Sequence, residues 1–264
     1  MHRPVALLLL ALLITWSTFA CPAFAGQTTQ HLTHEGMERM YIVQTPSAGI
    51  QTPAPLVIVL HGGGGKAKGV ARQAQFSALS ETHGAIVMYP DAIDGSWSIP
   101  GVPRINGTFQ EHDDLSFISR LIDIAVQQYG ADPEQVLITG ISRGGLLAFY
   151  LCQEIPEKIT AAAPIIATLP PHFQDSIHKA KGIPIMLLNG THDPLILYDG
   201  GVSAWYPKKI LKLFEARSID PSLLSTDQTI AIFRSLNDCS ATPMISQVPD
   251  TTHDCCTSES HTYT

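Results

Sequence analysis

Charged residues are scarce in this sequence. Asp, Glu, Lys and Arg make up 15% of its 264 residues, and the formal net charge is −7. The basic residues do not cluster, and the densest pair is Lys208-Lys209. A protein that binds nucleic acid needs basic residues concentrated in a patch, so the sequence argues against a nucleic-acid partner.

Metal-binding motifs are missing as well. The sequence contains neither H-E-x-x-H nor paired C-x-x-C motifs, the spacings that place imidazoles or thiolates around zinc. His253, Cys255, Cys256 and His261 are close together near the C-terminus, but we interpret them as parts of a polar tail. We therefore predict no metal site.

The long apolar run of this chain is N-terminal. Residues 5–16 read VALLLLALLITW, which is shorter than the roughly 20 residues that a membrane-spanning helix needs. Because an A-x-A cleavage site follows at 23–25, we predict a signal peptide over 1–25 and one exported domain over 26–264, without a membrane span. A lipoprotein attached at Cys21 is the alternative.

Four cysteines follow the predicted signal peptide. Export implies an oxidising compartment, so we expect Cys239 to form a disulfide with Cys255 or Cys256, and the spacing leaves the choice open. Cys152 lies in an apolar helical pattern and is predicted to be a buried thiol.

Strand-like and helix-like stretches alternate along the rest of the chain. The run LVIVL at 56–60 is continuously apolar, as in a strand that is buried on both faces. The alternation predicts a mostly parallel sheet with helices on both faces, and an active site at the carboxyl ends of its strands. The predicted strands are 41–45, 56–60, 85–89, 136–139, 161–167 and 183–188, and the predicted helices are 69–83, 113–128, 144–153, 203–217 and Thr226–Leu236. Pro207 indicates that the helix around 203–217 properly begins near that residue.

A serine lies on a glycine-rich turn between a strand and a helix. Residues 137–149 read LITGISRGGLLAF, a G-x-S-x-G pattern. Gly140 and Gly144 remove side chains where strand and helix pass closely, so the hydroxyl of Ser142 can stand out at the edge of the sheet. The start of the helix favours negative charge that develops there. We predict that Ser142 is a nucleophile.

A second glycine-rich loop, HGGGG at 61–65, directly follows the strand at 56–60. Without side chains, its backbone N–H groups are accessible. We predict that Gly62, Gly63 and Gly64 supply one side of an oxyanion hole, and that the backbone N–H of Arg143 supplies the other. A phosphate-binding loop would end in Gly-Lys followed by Ser or Thr, and this run does not.

A candidate catalytic acid follows the strand at 183–188. Asp193 lies in NGTHDP, 51 residues after Ser142, and the chain order of nucleophile, acid and histidine is that of α/β-hydrolases. Such an acid orients the imidazole and stabilises the imidazolium. Asp199 is the reserve candidate.

Taken together, the chain resembles the secreted esterases of the polyhydroxybutyrate depolymerase and feruloyl esterase type, within the α/β-hydrolase superfamily. The resemblance extends from about His34 to about Asp250 and includes PLVIVLHGGGG, YPDAIDGSW, GISRGGLLAFYLC and GIPIMLLNGTHDP. It implies an α/β-hydrolase fold, Ser142 as nucleophile and Asp193 as triad acid. It also implies that Trp97 lies near the substrate cleft, with packing in the core as the alternative.

The triad histidine is the point at which this chain departs from the family. There it follows a last strand in a G-G-x-H segment, whereas this sequence reads TTHDCCTSESHTYT after Asp250. The final strand, the histidine loop and a closing helix are expected to be missing, which would leave the domain incomplete after about residue 250. Three alternatives stay open: a truncated chain without the base, a base from the tail at His253 or His261 with His253 as the named candidate, and a base from elsewhere, such as His61, His112 or His192.

The resemblance implies a serine esterase that forms an acyl-enzyme and needs no cofactor. Its expected substrates are a polyester such as polyhydroxybutyrate, or aromatic acids esterified to polysaccharide. One alternative is a catalytically impaired remnant or binding protein that retains the fold. The other is a serine peptidase on the same fold.

Overall fold

A mostly parallel, six-stranded sheet forms the centre of the computed structural model, which describes residues 26–104, 112–249 and 257–264. Its strands are β1 (Gly26–His34), β2 (Met37–Thr45), β3 (Ala54–Leu60), β4 (Ile86–Pro90), β5 (Ala131–Ile141) and β6 (Ala161–Ile165). They lie in the order β1-β2-β4-β3-β5-β6. β2 is antiparallel to both β1 and β4, whereas the strands from β4 to β6 are parallel to their neighbours. The predicted α/β class and parallel sheet are therefore confirmed.

Residues 183–188 extend the parallel part of this sheet beyond β6. Isolated parallel bridges join Ile185 to Ala162 and Leu188 to Ile165. Ile183 is buried, whereas Met186 and Leu188 are 65% and 52% exposed. Within the described ranges, no strand pairs with the outer side of this segment. In the described ranges this segment is therefore the outermost strand-like part of the sheet, and the final strand of the family pattern, which the sequence led us to expect to be missing, is not seen beside it.

Helices cover both faces of the sheet, as predicted. They are α1 (Ala67–Ala74), α2 (Ala78–His83), α3 (Asp114–Ile124), α4 (Arg143–Glu154), α5 (Lys208–Ala216) and α6 (Thr226–Leu236). In β3, Leu56, Ile58 and Leu60 pack with α3 and α4 on one face, and Val57 and Val59 pack with α1 on the other. The run is continuously apolar because side chains on both faces of the strand are buried.

Local capping chemistry accounts for the start of two helices. The Asp113 side chain accepts a hydrogen bond from the Ser116 N–H at 2.8 Å, at the start of α3. At the start of α6, Ser225 and Gln228 form a reciprocal capping box. Both devices satisfy backbone donors that have no partner within the helix.

One predicted helix was wrong and another was confirmed at its start. The single helix expected at 69–83 is broken where Gln75 adopts a left-handed conformation with φ 53°, so α1 and α2 are separate. The helix expected around 203–217 begins after Pro207, as the position of this proline indicated, and Ser203 lies in a turn bonded to Pro194.

Three strands were not expected from the sequence. β1 is a polar strand at the edge of the sheet, and β7 (Met244–Val248) pairs with β8 (Ser258–Thr262) in a separate antiparallel sheet. All of β7 and nearly all of β8 are exposed. Such strands do not need the apolar alternation by which strands are recognised, which explains why the pattern did not reveal them.

The remaining structural predictions have mixed outcomes. Cys152 is fully buried, and burial raises the pKa of its thiol to about 12. Cys239 is a free cysteine; Cys255 and Cys256 lie outside the described residues, so the disulfide stays a prediction. The predicted signal peptide, with Cys21, also lies outside them. Among the helices of the described ranges, none combines the length and the apolarity needed to cross a bilayer.

Candidate active site

Ser142 occupies a sharp turn between β5 and α4. Its backbone angles are φ 53° and ψ −116°, a conformation that costs free energy for a residue other than glycine. The turn depends on close packing, because a Cβ on Gly144 would lie 2.4 Å from the carbonyl oxygen of Leu60. A Cβ on Gly140 would lie 2.6 Å from the backbone of Gly144. The two glycines therefore allow the strained turn that presents Ser142 at the edge of the sheet.

The loop at 61–65 lies directly beside this serine. A Cβ built on Gly62 would be 3.7 Å from the Cβ of Ser142. Two N–H groups of the loop are already engaged, since Gly64 donates to Gly95 O at 2.8 Å and Gly65 donates to Gly62 O at 3.0 Å. Gly64 is therefore removed from the predicted oxyanion donors. The N–H groups of Gly62 and Gly63 have no hydrogen-bond acceptor among the described residues.

Arg143 is the first residue of α4, so its backbone N–H has no acceptor within the helix. This leaves it available as the second predicted oxyanion donor. Its side chain is buried and donates to three carbonyl oxygens: Trp97 O at 2.7 Å, Pro103 O at 2.7 Å and Val102 O at 3.0 Å. Burial, assisted by the charge of Arg104, lowers the pKa of Arg143 to about 10. The guanidinium remains a cation at neutral pH and connects the serine turn to residues 97–103.

His61 is fixed at both ring nitrogens. Its Nε2 accepts from the Ala92 N–H at 3.0 Å, which leaves Nδ1 as the donor to Gly62 O at 2.7 Å. Burial lowers the pKa of this imidazole. A neutral histidine with both nitrogens engaged is a structural member of the loop, which argues against His61 as the catalytic base.

Trp97 is completely buried beneath the glycine loop. Its Nε1–H donates to His61 O at 2.8 Å, and its ring packs against that of His61 with centroids 4.8 Å apart. A side chain without exposed surface does not line an open cleft. The expected place of Trp97 at the substrate surface is corrected to the alternative, packing in the core, because its indole supports the loop from below.

Sequence reasoning missed the role of the segment that follows β4. Asp91 is the first residue beyond this strand, and its Oδ1 accepts from the Ala67 N–H at 2.7 Å and lies 3.6 Å from His61 Nε2. The signal that could have revealed it is its position, since polar residues at the carboxyl ends of parallel strands face the site.

The candidate acid lies at the same edge of the sheet as Ser142. Ser142 N–H donates to Ile165 O at 2.8 Å, and Ala167 N–H donates to the side chain of Asn189 at 3.0 Å. Residues 165–167 thus bridge the serine turn and the start of the loop that carries Asp193. The Oδ1 of Asp193 accepts from the N–H groups of Leu195 and Ile196 at 2.7 and 2.8 Å. Its Oδ2 accepts no hydrogen bond from any described residue and is available to an imidazole.

The structure brings none of the described histidines to Ser142. His253, the named candidate, lies outside the described residues. His261 lies on β8, where its Nε2 contacts Glu259. The β7–β8 hairpin is attached close to the end of α6, because Ser240 N–H donates a hydrogen bond to Thr264 O. At that end of α6, the side chain of Asn237 accepts from Gly182 N–H and donates to Ile183 O. His261 is therefore near the amino end of the segment 183–188, opposite the edge that carries Ser142 and Asp193.

The contacts of the other two alternatives are local and do not include the serine. His192 is exposed, and its Nδ1 lies 3.0 Å from the Thr191 hydroxyl. His112 lies just before α3. Burial, and to a smaller extent the positive charge of Arg104, lower the pKa of its imidazole. No hydrogen bond links either ring to Ser142 or Asp193 among the described residues.

Together, the sheet order, the strained serine turn between β5 and α4, the glycine loop after β3 and the acid loop beyond β6 define an α/β-hydrolase fold. The comparisons with known proteins agree. A family model described as phospholipase/carboxylesterase matches residues 105–215.

The curated proteins that are similar to this chain include proteins named as esterases and one named as a depolymerase. It is 27% identical over 181 residues to the putative esterase NocK of Nocardia uniformis subsp. tsuyamanensis, covering 67% of this chain and 52% of that protein. It is 28% identical over 172 residues to feruloyl esterase B of Piromyces equi, covering 62% and 31%. It is 31% identical over 147 residues to poly(3-hydroxyalkanoate) depolymerase C of Paucimonas lemoignei, covering 53% and 33%. The chain thus spans about half or less of the length of these relatives.

Solved structures show the same fold. A thermostable esterase matches with a TM-score of 0.53 at 22% identity, covering 74% of this chain and 57% of that one. The S-formylglutathione hydrolase FrmB of Staphylococcus aureus matches with a TM-score of 0.51 at 14% identity, covering 80% and 97%. The chain has an α/β-hydrolase fold, and its sequence is similar to those of the esterases and the depolymerase named above.

Proposed function

We propose that this chain hydrolyses carboxylic esters through an acyl-enzyme on Ser142. The observation that carries the proposal is the strained serine turn beside the glycine loop, where the N–H groups of Arg143, Gly62 and Gly63 have no acceptor among the described residues. In the proposed reaction the Ser142 hydroxyl attacks the ester carbonyl while a base takes its proton. The oxyanion is held by Arg143 N–H together with Gly62 or Gly63 N–H, the alcohol leaves, and water then releases the acid.

Asp193 is the proposed triad acid, with His253 as the proposed base. Support for Asp193 comes from its place beyond β6, next to the bridge of residues 165–167, and from its free Oδ2. His253 follows Asp193 in the chain, as the order nucleophile, acid, histidine requires. Export of the domain after cleavage of residues 1–25 is part of the same proposal.

An exposed apolar surface beside the acid loop bears on the substrate class. Leu195, Val202 and Trp205 are 47%, 41% and 70% exposed. Ser203 holds this part of the chain together, because its hydroxyl donates to Pro194 O and accepts from the Trp205 N–H at 2.9 Å. We propose that an apolar or aromatic acyl group, or a polyester chain, binds here. The likeness to a feruloyl esterase and to a polyhydroxyalkanoate depolymerase supports the same class.

Turnover of p-nitrophenyl butyrate tests the nucleophile. We expect Ser142→Ala to lower kcat by about 10⁴-fold or more, because only the oxyanion hole and substrate binding then contribute. We expect Ser246→Ala, a matched change at an exposed position of β7, to leave turnover unchanged. Equal turnover by the wild-type protein and Ser142→Ala would contradict the proposed esterase.

A second pair of variants tests the base. We expect His253→Ala to lower kcat by about 10⁴-fold or more, because the members of a triad act as a unit. His261→Ala is the matched control and should retain wild-type kcat, since His261 lies at the opposite end of the sheet. Wild-type kcat in His253→Ala would exclude His253 as the base.

One observation favours a second candidate function. Among the described histidines, no ring is hydrogen bonded to the side chain of Ser142 or Asp193, as would be expected of a binding protein that keeps the fold without turnover. Such a protein would bind a non-hydrolysable apolar ester analogue, such as an alkyl ether of the same shape, while wild type and Ser142→Ala release p-nitrophenol at the same rate.

A further inference from the structure

We infer that Trp97 and the guanidinium of Arg143 are positioning residues that aim the Gly62 N–H at the reacting carbonyl and hold the two sides of the oxyanion hole together. The inference rests on the proposed esterase function. It concerns two side chains that do not touch the substrate and act through the backbone donors.

The glycine loop is held from below by residues 92–97. Ala92 N–H donates to His61 Nε2 at 3.0 Å, Gly64 N–H donates to Gly95 O at 2.8 Å, and Trp97 Nε1–H donates to His61 O at 2.8 Å. Three hydrogen bonds over six residues fix this loop although it has four consecutive glycines, the residues that lose most conformational freedom on folding.

The bond from Trp97 acts on the oxyanion donor itself. The carbonyl of His61 and the N–H of Gly62 belong to one planar trans peptide group, so they point in opposite directions. Because the carbonyl of His61 points towards the buried indole that donates to it, the Gly62 N–H must point away from the core. A Cβ built on Gly62 would lie 3.7 Å from Ser142 Cβ, so this peptide group is next to the nucleophile. The hydrogen bond to the carbonyl also polarises the N–H on the other side of the peptide.

Arg143 connects the same support to the other side of the hole. Its Nε–H donates to Trp97 O at 2.7 Å, and its own backbone N–H is the second proposed donor. One path of hydrogen bonds thereby links the backbone donors of Arg143 and Gly62. It runs from the Arg143 guanidinium to the backbone of Trp97, and from the Trp97 indole to the peptide group between His61 and Gly62. Further bonds from Arg143 to Val102 and Pro103 hold residues 102–103 as well.

Trp97→Phe tests the inference, because it removes the indole N–H and keeps an aromatic ring. Tyr89→Phe is the matched control: Tyr89 is also fully buried, and the change removes one side-chain hydrogen bond, to Ser77 at 2.9 Å. Loss of a whole oxyanion donor lowers kcat by about 10²–10³-fold. A misdirected donor should cost less, so we expect kcat of Trp97→Phe to fall about 10- to 100-fold, with KM within about twofold. Tyr89→Phe should keep both constants.

A further readout does not depend on turnover. The amide hydrogens of Gly64 and Gly65 are hydrogen bonded in the loop, and we expect their exchange with solvent to be about tenfold faster in Trp97→Phe, the equivalent of about one hydrogen bond. Tyr89→Phe should leave both exchange rates unchanged. If wild type and Ser142→Ala turn over ester equally, the proposed esterase fails, and these exchange rates still decide the inference.

Arg143→Lys supplies a second variant. It keeps the backbone N–H of residue 143 but replaces the planar guanidinium, which donates to three carbonyl oxygens, by an ammonium group that does not match their geometry. We expect it to lower kcat, and the double variant with Trp97→Phe to lose less than the product of the single effects, because both interrupt one path. If Trp97→Phe does not fold, 3-benzothienylalanine at position 97 replaces only the indole N–H by sulfur. Unchanged exchange of Gly64 and Gly65, or unchanged kcat in an active enzyme, would overturn the inference.

Discussion

Replacing Gly144 by alanine should damage both the stability of the fold and the serine turn. A Cβ at this position would lie 2.4 Å from Leu60 O and 2.7 Å from His61 O, whereas ordinary contacts begin at 3.4 Å. Both oxygens belong to the backbone, so neither can rotate away. The start of α4 and the end of β3 would have to separate by roughly 1 Å, the shortfall implied by ordinary packing distances.

Two effects of that separation can be estimated. Overpacking of a tight core costs about 1–3 kcal/mol, which exceeds the gain of roughly 0.5–1 kcal/mol that alanine brings to a helix. We therefore expect the free energy of unfolding to fall by about 1–2 kcal/mol. The proposed oxyanion donors lie at the start of α4 and just after β3, the two elements that separate, and a misplacement of about 1 Å can lower kcat by about 10²-fold.

Gly69→Ala is the matched control for this change. Gly69 also lies in the first turn of a helix, and nothing lies within 4 Å of a Cβ built there. Alanine should increase the free energy of unfolding by roughly 0.5–1 kcal/mol and leave kcat unchanged. Urea denaturation and p-nitrophenyl ester kinetics measure both quantities. If Gly144→Ala unfolds at the wild-type urea concentration with wild-type kcat, the close approach of α4 and β3 is not required, and the reasoning fails.

Two further predictions concern buried charge. Arg39 and Asp114 are 1% exposed and form an ion pair; Asp114→Asn should lower the free energy of unfolding by about 3–5 kcal/mol, because it leaves a buried cation without its anion. Arg39→Met combined with Asp114→Leu should be more stable than Asp114→Asn, and a urea denaturation series that ranks the variants otherwise would contradict this account. The second prediction is a pH dependence. Burial lowers the pKa of His61, so the unfolded chain binds the proton more readily, and stability should decrease as the pH falls through about 6.5 towards the lower folded pKa. His61→Gln should show a shallower loss between pH 7 and pH 5, and identical pH profiles for the two proteins would show that His61 does not contribute.

Much of the sheet could be predicted from local sequence. The run at 56–60 is apolar because β3 lies between two helical layers, and the cap residues Asp113 and Ser225 mark the starts of two helices by chemistry that involves only their near neighbours. β1 and β8 were missed because they are polar strands with little buried surface. β7 was missed because its apolar side chains, Met244, Ile245 and Val248, do not alternate and are exposed. Their pairing depends on backbone partners rather than on side-chain pattern.

For the candidate site as well, some residues could be predicted from local sequence and others only from the structure. The pattern predicted oxyanion donors at Gly62, Gly63, Gly64 and Arg143, but only the structure shows that Gly64 donates its N–H to Gly95. The expected place of Trp97 near the substrate cleft was wrong, because the local sequence does not distinguish a loop tryptophan that faces the solvent from one that packs in the core. The guanidinium contacts of Arg143 join residues about 40 positions apart, and no local pattern reports such contacts.

The sequence by itself determined the turn that carries Ser142. Gly140 and Gly144 are required wherever a strand and a helix approach so closely, and that requirement is local. The tertiary structure decided which backbone donors near the serine are free, and that none of the described histidines reaches it. Those properties depend on hydrogen bonds and distances between segments far apart in the chain, which only the assembled sheet brings together.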